Sequence, residues 1–434
     1  MPLNPALQDG VKGHNIKGNY LPGKRRPLGR GTSQGFPAGD QAMQICVIGG
    51  KLQGVEATYL AHKAGWEVLL VDKNPSPPAK GLCDRFCQVD VTRENEFFSI
   101  CRETQLLVPA LENQKALDAL HHLAQKHALP LAYDPLAYGI SSSKLRSDKL
   151  FMDLALPIPL PWPKGKFPLI VKPSGSSGSE GVRRMNSPEE LESFRLSHGT
   201  LDGWIAQEFL EGPSFSLEVL GSPEGHQTLQ VTDLQMDASY DCKRVLAPTA
   251  LGESEIKQFE EITLTISKAL NLRGIMDVEV ILHDGQLKLL EIDARLPSQT
   301  PTAVYLSTGI NMVELLGGLY LKFSKPMVSW PPSPRGVVYE HLKASPGKLE
   351  VSGEHVMANA GSLQLYENFF GADEAITNYE PHRAEWVATL IVTAESRKKA
   401  WKKRCGVIEQ IRASCSLSAY LDPSPETLPS HGKP

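Results

Sequence analysis

The chain has 434 residues, 41% of them apolar and 22% charged, enough for two or three domains with ample cores. A formal net charge of −4 argues against nucleic acid or a membrane surface as a bulk electrostatic partner, and no apolar run approaches the ~18 residues of a membrane span. The seven cysteines (Cys46, Cys83, Cys87, Cys101, Cys242, Cys405, Cys415) are odd in number and scattered, so reduced thiols in a cytosolic protein are expected rather than disulfides or a zinc site.

Residues 1–42 stand apart. They carry six Lys or Arg against Asp9 and Asp40, are rich in Gly, Pro and Asn, and show no apolar period or secretory h-region. A disordered basic extension is expected here. A start site placed upstream of the true one explains it best, because a well-formed domain begins at Met43; an arm that contacts RNA is the alternative.

Residues 44–75 read as strand, glycine turn, helix and strand. ICVIGG is a continuous apolar strand, Val55 to Ala64 a helix ending near Gly65, and EVLLVD a second buried strand ending at Asp72. This is the βαβ unit of a parallel, doubly wound sheet. The turn GGKLQG departs from G-x-G-x-x-G at Lys51, which leaves a dinucleotide pyrophosphate less room and disfavours a dehydrogenase. Lys51 and Gln53 sit instead at the C-terminal edge of the sheet, where ligands bind. Asp72 takes either the ribose position of such a unit or a turn role. Strands are expected at Phe86–Val91, Gln105–Pro109 and Leu129–Tyr133, with Glu112 just past the second of them and a helix over Ala116–His127; the whole makes an α/β domain over 43–135.

Ser141 to Ser143 can cap a helix whose polar start holds Lys144, Arg146 and Lys149. Next, FPLIVK is a short buried strand ending in Lys172, followed by a Gly/Ser run up to Gly181 that offers many backbone N–H groups and little bulk, as a phosphate-covering loop does. Glu189–Ser197 reads as a helix. WIAQEFLEGPSFSLEVLG then reads as strand, turn, strand, with Gln207 to Leu210 suited to adenosine: backbone groups for the base, a carboxylate for the ribose. Glu218 stands in an apolar strand with Ser216 two residues before it, and Glu255–Leu270 is an amphipathic helix.

Gly274 to Pro301, GIMDVEVILHDGQLKLLEIDARLPSQTP, reads as two strands around a His283-Asp284-Gly285 turn. Into this apolar hairpin the chain puts Asp277, Glu279, Glu291 and Asp293. With a three-residue turn, residues of matching parity on the two strands share a face, so Glu279, Glu291 and Asp293 converge. Buried carboxylates so placed repel unless a hard cation sits among them; Mg²⁺ takes oxygen ligands and is commonly shared with nucleotide phosphates. Arg295 follows, able to reach a phosphate or carboxylate. After it come strand-like runs at Val337–His341 and Trp386–Val392, and a helix whose RKKAWKKR run reads as a solvated face.

Lys144, Lys172, the Gly/Ser loop, Gln207-Glu208-Phe209-Leu210, then Glu279, Glu291 and Asp293 with Arg295, in that order, resemble the ATP-grasp enzymes. These clamp ATP between two α+β lobes and join a carboxylate to an amine through an acyl phosphate. Asp293 stands where that family usually has asparagine. IGGKLQG, VDKNP, SLEV, YDC, GIMDVE and EIDARLPSQTPTAVY narrow the resemblance, over roughly 43–415, to the family branch of pyrrolysine biosynthesis that joins 3-methyl-D-ornithine to L-lysine.

The resemblance implies an α/β and α+β fold: a Rossmann-like domain over 43–135, a lid and adenine-binding subdomain over 136–220, a C-terminal lobe over 221–420 and a flexible tail over 421–434. It implies ATP and Mg²⁺ as cofactors. Lys144 and Lys172 would touch phosphates, Gln207, Glu208, Phe209 and Leu210 adenosine, and Glu279, Glu291 and Asp293 the metal. Ser216, Leu217, Glu218 and Asp277 would hold the ornithine, and Leu52, Gln53 and Glu112 the lysine. Lys172 and Arg295 would serve the phosphoryl transfer. Lys51, Asp72, Asp90 and Val91 match positions linked to nucleotide. Another ATP-grasp ligase or carboxylase, and a nucleotide-binding regulatory protein with an RNA-contacting arm, are the alternatives; the sequence leaves a homodimer open.

Overall fold

The computed structural model describes residues 43–175, 181–198, 202–321, 330–331 and 333–425. The basic extension and most of the Gly/Ser loop lie outside the described residues. No helix among those described is long and apolar enough to cross a membrane.

The first domain is built on four parallel strands in the order Arg85–Gln88, Glu67–Asp72, Gln44–Ile48, Leu106–Pro109. Helices cover both faces, which is why these strands read as unbroken apolar runs. Ile45 and Val47 pack with Leu60, Val313 and Leu316 on one side; Cys46 and Ile48 pack with Phe97, Leu120 and Leu123 on the other. The strand expected at Leu129–Tyr133 shrinks to one parallel bridge, Leu107 to Leu131. Pro130 has no N–H to extend the ladder, and Tyr133 N turns back to Leu131 O.

A small lid follows, three antiparallel strands in the order Arg183–Met185, Leu169–Pro173, Trp204–Glu208. Helix Pro188–His198 packs Leu191 and Phe194 onto them. The lid ends at Glu208. The expected boundary at 220 falls inside strand Ser214–Ser222, which belongs to the large sheet and pairs with Gly274–His283 and Thr232–Met236. The reason is burial: Leu217 and Val219 complete the core that helix Glu253–Ala269 covers with Phe259 and Ile266.

The large sheet runs Gln286–Asp293, Gly274–His283, Ser214–Ser222, Thr232–Met236, Cys242–Ala247, Gly336–Ser345, Trp386–Ala394, Glu374–Thr377, Gln364–Glu367. Helix Arg397–Ser414 packs on its far half. Its charge run is only partly the solvated face expected. Lys398, Lys399 and Lys402 are exposed, but Arg404 is buried and forks onto the fully buried Glu340 at 2.7 and 2.9 Å. Arg397 pairs with Asp233 and Lys403 with Asp373. Carboxylates elsewhere in the fold, Glu340 and Asp233 buried and Asp373 half-exposed, recruit these cations and are invisible from the helix sequence.

Glu56, from the helix Leu52–Lys63, ties the first domain to the C-terminal lobe. It is buried and accepts from Thr302 N (3.1 Å), Thr302 Oγ1 (2.6 Å) and the Tyr339 hydroxyl (2.7 Å). Burial outweighs these bonds and pushes its carboxyl up to about 7. An acid with a raised folded-state pKa keeps a proton that the unfolded chain has already released. Its contribution is therefore lost as pH rises from the ordinary carboxylate range through about 7, a loss on the order of 3 kcal/mol. Glu56→Gln lacks this titration. Its thermal midpoint should improve relative to wild type as pH is raised from about 5 to about 8, and a difference that does not move with pH would rule the account out.

Candidate active site

Three neighbouring strands present a grid of polar side chains on the sheet face opposite the Phe259 core. Glu218, Asp277 and Asp293 are cross-strand partners in one row; Ser216, Glu279 and Glu291 form the next. The expected convergence of Glu279 and Glu291 is present, though by another route. The turn has two central residues, Asp284 (φ 48) and Gly285 (φ 74), the left-handed pair of a tight hairpin. By itself such a turn sends residues of matching parity to opposite faces. A register shift between Glu279 and Val280 opposes Glu279 to Glu291 but Val280 to Leu289, and the extra residue, Leu290, restores the shared face.

Five carboxylates in this grid cannot all be ionised unaided. At an effective dielectric of about 20, two charges about 5 Å apart repel by roughly 3 kcal/mol. Glu279 is held well above the usual carboxylate range by burial, then by Asp277 and Glu291. Burial likewise pushes Asp293 to about 7, Asp277 to about 6 and Glu218 to about 8. Ser216 Oγ donates to Asp277 at 2.5 Å, and Glu218 Oε2 is buried with no hydrogen-bond partner among the described residues. An oxygen-only donor set fits a divalent cation at Glu279 and Glu291 with Asp293 beside them, and ammonium groups at Glu218 and Asp277.

Two cavities meet at this grid. The larger, about 1430 Å³ with the open solvent space at its mouth included, is lined by Lys144, Lys172, Gln207 to Gly212, Tyr240, Glu279 and Glu291 among others. The smaller, about 810 Å³ counted in the same way, is lined by Asp241, Asp277, Glu279, Glu291, Asp293, Arg295, Gln299, Thr300 and Glu354 among others. Glu279 and Glu291 line both, whereas Asp293 lines only the smaller. Lys144, at the start of helix Lys144–Asp153, reaches Glu291 at 3.0 Å. Lys172 is buried beside it, its ammonium disfavoured by desolvation, with Nζ 3.5 Å from Leu290 O.

In the adenosine segment, Glu208 N and Phe209 N already donate to Leu160 O and Pro168 O, and the Glu208 carboxylate accepts from Leu160 N at 2.9 Å. The ribose role read for that carboxylate is therefore not what holds it here; Glu211 lines the same cavity. Leu217 is corrected: it is fully buried in the core between Ser216 and Glu218, because alternate residues of a strand face opposite ways.

From the first domain, Glu112 connects Gln53 (2.8 Å) to Arg295 (2.5 Å), which also meets Asp293 at 2.5 Å. Gln53 and Glu112 are thus joined to the grid. Leu52 lines a small neighbouring cavity with Gln299 and Glu354. Lys51, Asp72, Asp90 and Val91 line neither of the two main cavities. Asp72 accepts from Gly50 N and Asn74 N, and Asp90 from Thr92, as turn residues do.

Sequence reasoning missed several lining groups. Tyr240 borders both cavities; Gln299 and Glu354 line the smaller. The tail expected to be flexible from 421 is anchored at its start. Buried Lys243 and Arg244 both pair with Asp422 at 2.7 Å, Lys243 also bonds Pro423 O and Ser424, and Ser424 and Pro425 line the larger cavity. Asp237, Asp241 and His355 cluster within 4.8 Å. Their carboxylates, however, accept from Ser239 N, Asp241 N, Gly353 N and His355, so the cluster closes a turn.

A Rossmann-like domain, a lid and a carboxylate-bearing antiparallel sheet around two joined cavities define an ATP-grasp architecture. The family model described as ATP-grasp domain matches residues 141–299, and the one described as PylC-like, N-terminal domain matches residues 45–129. Among solved structures, an ADP complex of N5-carboxyaminoimidazole ribonucleotide synthetase superposes with TM-score 0.64 at 13% identity, over 85% of this chain and 96% of that one. The biotin carboxylase domain of Hydrogenobacter thermophilus 2-oxoglutarate carboxylase, solved with MgADP and bicarbonate, gives 0.63 at 12% identity, over 85% and 90%. These share the fold. A 3-methyl-D-ornithine–L-lysine ligase of Methanosarcina acetivorans is 36% identical over 371 residues, 84% of this chain and 96% of its own length. The chain belongs to the family of 3-methyl-D-ornithine–L-lysine ligases.

Proposed function

We propose that this chain is an ATP-dependent ligase that joins the carboxylate of 3-methyl-D-ornithine to the ε-amine of L-lysine, releasing ADP and phosphate. One observation carries the reading. The Glu279–Glu291 pair sits where a nucleotide-sized cavity meets one lined by six carboxylates, Asp241, Asp277, Glu279, Glu291, Asp293 and Glu354. Arg295 is the one basic side chain lining that second cavity among the described residues. Such a wall suits a substrate carrying two ammonium groups. It disfavours the bicarbonate or ribonucleotide substrates of a carboxylase, which are anionic.

In this reading ATP lies in the larger cavity, its adenine against Phe209 and Leu210 and its phosphates toward Lys144 and Lys172. Glu279 and Glu291, with Asp293 beside them, hold Mg²⁺. When bound there, Mg²⁺ offsets charge on the phosphate oxygens. The ornithine carboxylate takes the γ-phosphoryl group, forming a mixed anhydride while ADP leaves. Lys144, Lys172 and Arg295 offset the charge that spreads over the transferring group. The lysine ε-amine, once it has lost a proton, attacks the acyl carbon and expels phosphate. Gln53, Glu112 and Arg295 link the lysine side to the grid, and Ser216, Glu218 and Asp277 hold an ornithine ammonium.

Phosphate release from ATP, measured with 3-methyl-D-ornithine and L-lysine separately and together, tests the reading; hydroxylamine added with 3-methyl-D-ornithine alone should trap the acyl phosphate as a hydroxamate. Turnover with bicarbonate but with neither amino acid would overturn it. The anchored tail gives a further expectation. A chain ending at Leu421 should raise the KM for ATP by roughly tenfold while the KM for lysine stays within about twofold, because Ser424 and Pro425 line only the larger cavity. An unchanged KM for ATP would show that the tail does not bear on the nucleotide.

A further inference from the structure

Among the described residues, four line both cavities. Two are the acidic pair, Glu279 and Glu291. The other two, Met236 and Tyr240, have no part in the reaction scheme above. In that scheme the phosphoryl group passes from a nucleotide in one cavity to a carboxylate in the other, so the acyl phosphate forms at this neck and stays there until the lysine amine attacks. A mixed anhydride is open to water as well as to an amine. A ligase of this kind therefore needs water kept away from the neck.

Met236 ends the strand Thr232–Met236, and Tyr240 stands in the turn between it and the strand Cys242–Ala247. Both side chains are half-buried. Tyr240 holds φ 64, a left-handed backbone that a residue with a side chain keeps only where its surroundings enforce it. Here the buried Asp237 and Asp241 enforce it. Asp237 accepts from Ser239 N at 2.7 Å, Asp241 N at 3.2 Å and Gly353 N at 3.0 Å, and Asp241 accepts from His355 N at 3.0 Å. A Cβ at Gly353 would lie 2.2 Å from Asp241 Oδ2, so only glycine lets that segment reach the turn. The ring is braced from the nucleotide side as well. It meets Phe209 edge-on, with centroids 6.2 Å apart at 74°, and the guanidinium of Arg184 from the lid lies 4.8 Å over the same Phe209 ring. Joining two strands does not require a strained residue closed in by two buried carboxylates. What this turn fixes is the place of one aromatic ring at the neck.

We propose that Met236 and Tyr240 form the apolar side of the neck and exclude water from the acyl phosphate, so that the lysine amine is the nucleophile that reaches it. The inference rests on the ligase reading above. Water reaching the acyl carbon would expel phosphate, return the ornithine carboxylate and release a proton, consuming an ATP with no amide formed. The thioether of Met236 and the ring of Tyr240 cover the junction without offering a carboxylate or ammonium that would hold a water there.

The test is the amount of amide product formed per ATP consumed. Phosphate release is measured in parallel with no amino acid, with 3-methyl-D-ornithine alone, and with both substrates. In wild type the ratio should be about one. Tyr240→Ala should lower it to roughly one-third or less and raise phosphate release with 3-methyl-D-ornithine alone by about tenfold, with no rise when that amino acid is left out. Tyr240→Phe keeps the ring and should keep the ratio close to that of wild type, whatever its turnover. Should Tyr240→Ala fold poorly, Met236→Ala opens the same neck from the strand, leaves the turn in place and should lower the ratio in the same direction. Slower turnover in both alanine variants with an unchanged ratio would make these side chains mere props and overturn the proposal. So would a ratio lost equally in Tyr240→Phe, which would point to the hydroxyl, or phosphate release that rises without the ornithine, which would place the leak at ATP itself. A wild type that forms no amide from the two amino acids fails the ligase reading instead, a result distinct from these.

Discussion

Glu291→Ala should lower Mg²⁺-dependent turnover by about 1000-fold or more, and raising Mg²⁺ to saturation should not restore it. Glu291 is cross-strand to Glu279 and lines both cavities. Its removal takes away one of the two carboxylates at their junction and the 3.0 Å partner of Lys144. Neither loss can be repaired from nearby. Asp293 is on the same strand and is held by Arg295 at 2.5 Å, and it does not line the larger cavity. The side chain of Glu291 is about one-third exposed, so the variant should fold. Phosphate release across a Mg²⁺ titration, with the unfolding midpoint as a control, decides the matter. Near-normal turnover at saturating Mg²⁺ would refute the metal role, and a lowered midpoint would assign the loss to folding.

The hairpin shows how a sequence reading can reach the right face for the wrong reason. Parity placed Glu279 and Glu291 together on the assumption of a three-residue turn. The chain instead makes a two-residue Asp284-Gly285 turn and then inserts Leu290 as a bulge. The two departures cancel. The Asp-Gly signal was in the sequence, but nothing local marks Leu290 as the extra residue, since a bulge is fixed by what both strands must pack against.

Other parts of the fold were legible to the degree that they are local. The apolar runs of the first domain, the lid strands and the helix Glu253–Ala269 carry their period in the sequence. Leu217 was misplaced only because the resemblance supplied it as part of a block; strand alternation, applied strictly, would have put it in the core. Arg404 is different. Its partner Glu340 is 64 residues away, and a charge run cannot announce which of its members is buried. Gln299, Glu354 and the anchored Asp422 belong to the same class, since each depends on contacts made across the fold.

Asp277→Asn should lower kcat/KM for the diamino acid by roughly 30- to 300-fold while leaving the KM for ATP within about twofold. Asp277 sits in the middle of the row Glu218–Asp277–Asp293, is buried, and accepts from Ser216 Oγ. Asparagine keeps the shape and can still accept from Ser216, so the change is chiefly one of charge. Regular alternation places Asp277 on the same face as Glu279, and the register confirms that shared face. What separates the two is position along the strand. Glu279 lines both cavities, whereas Asp277 lines only the smaller, away from the nucleotide. A metal-binding role would make the variant fail with ATP and with the amino acid alike. A substrate role confines the loss to the amino acid. Steady-state kinetics with each substrate varied in turn distinguishes the two, and equal losses for ATP and the diamino acid would return Asp277 to the metal side of the grid.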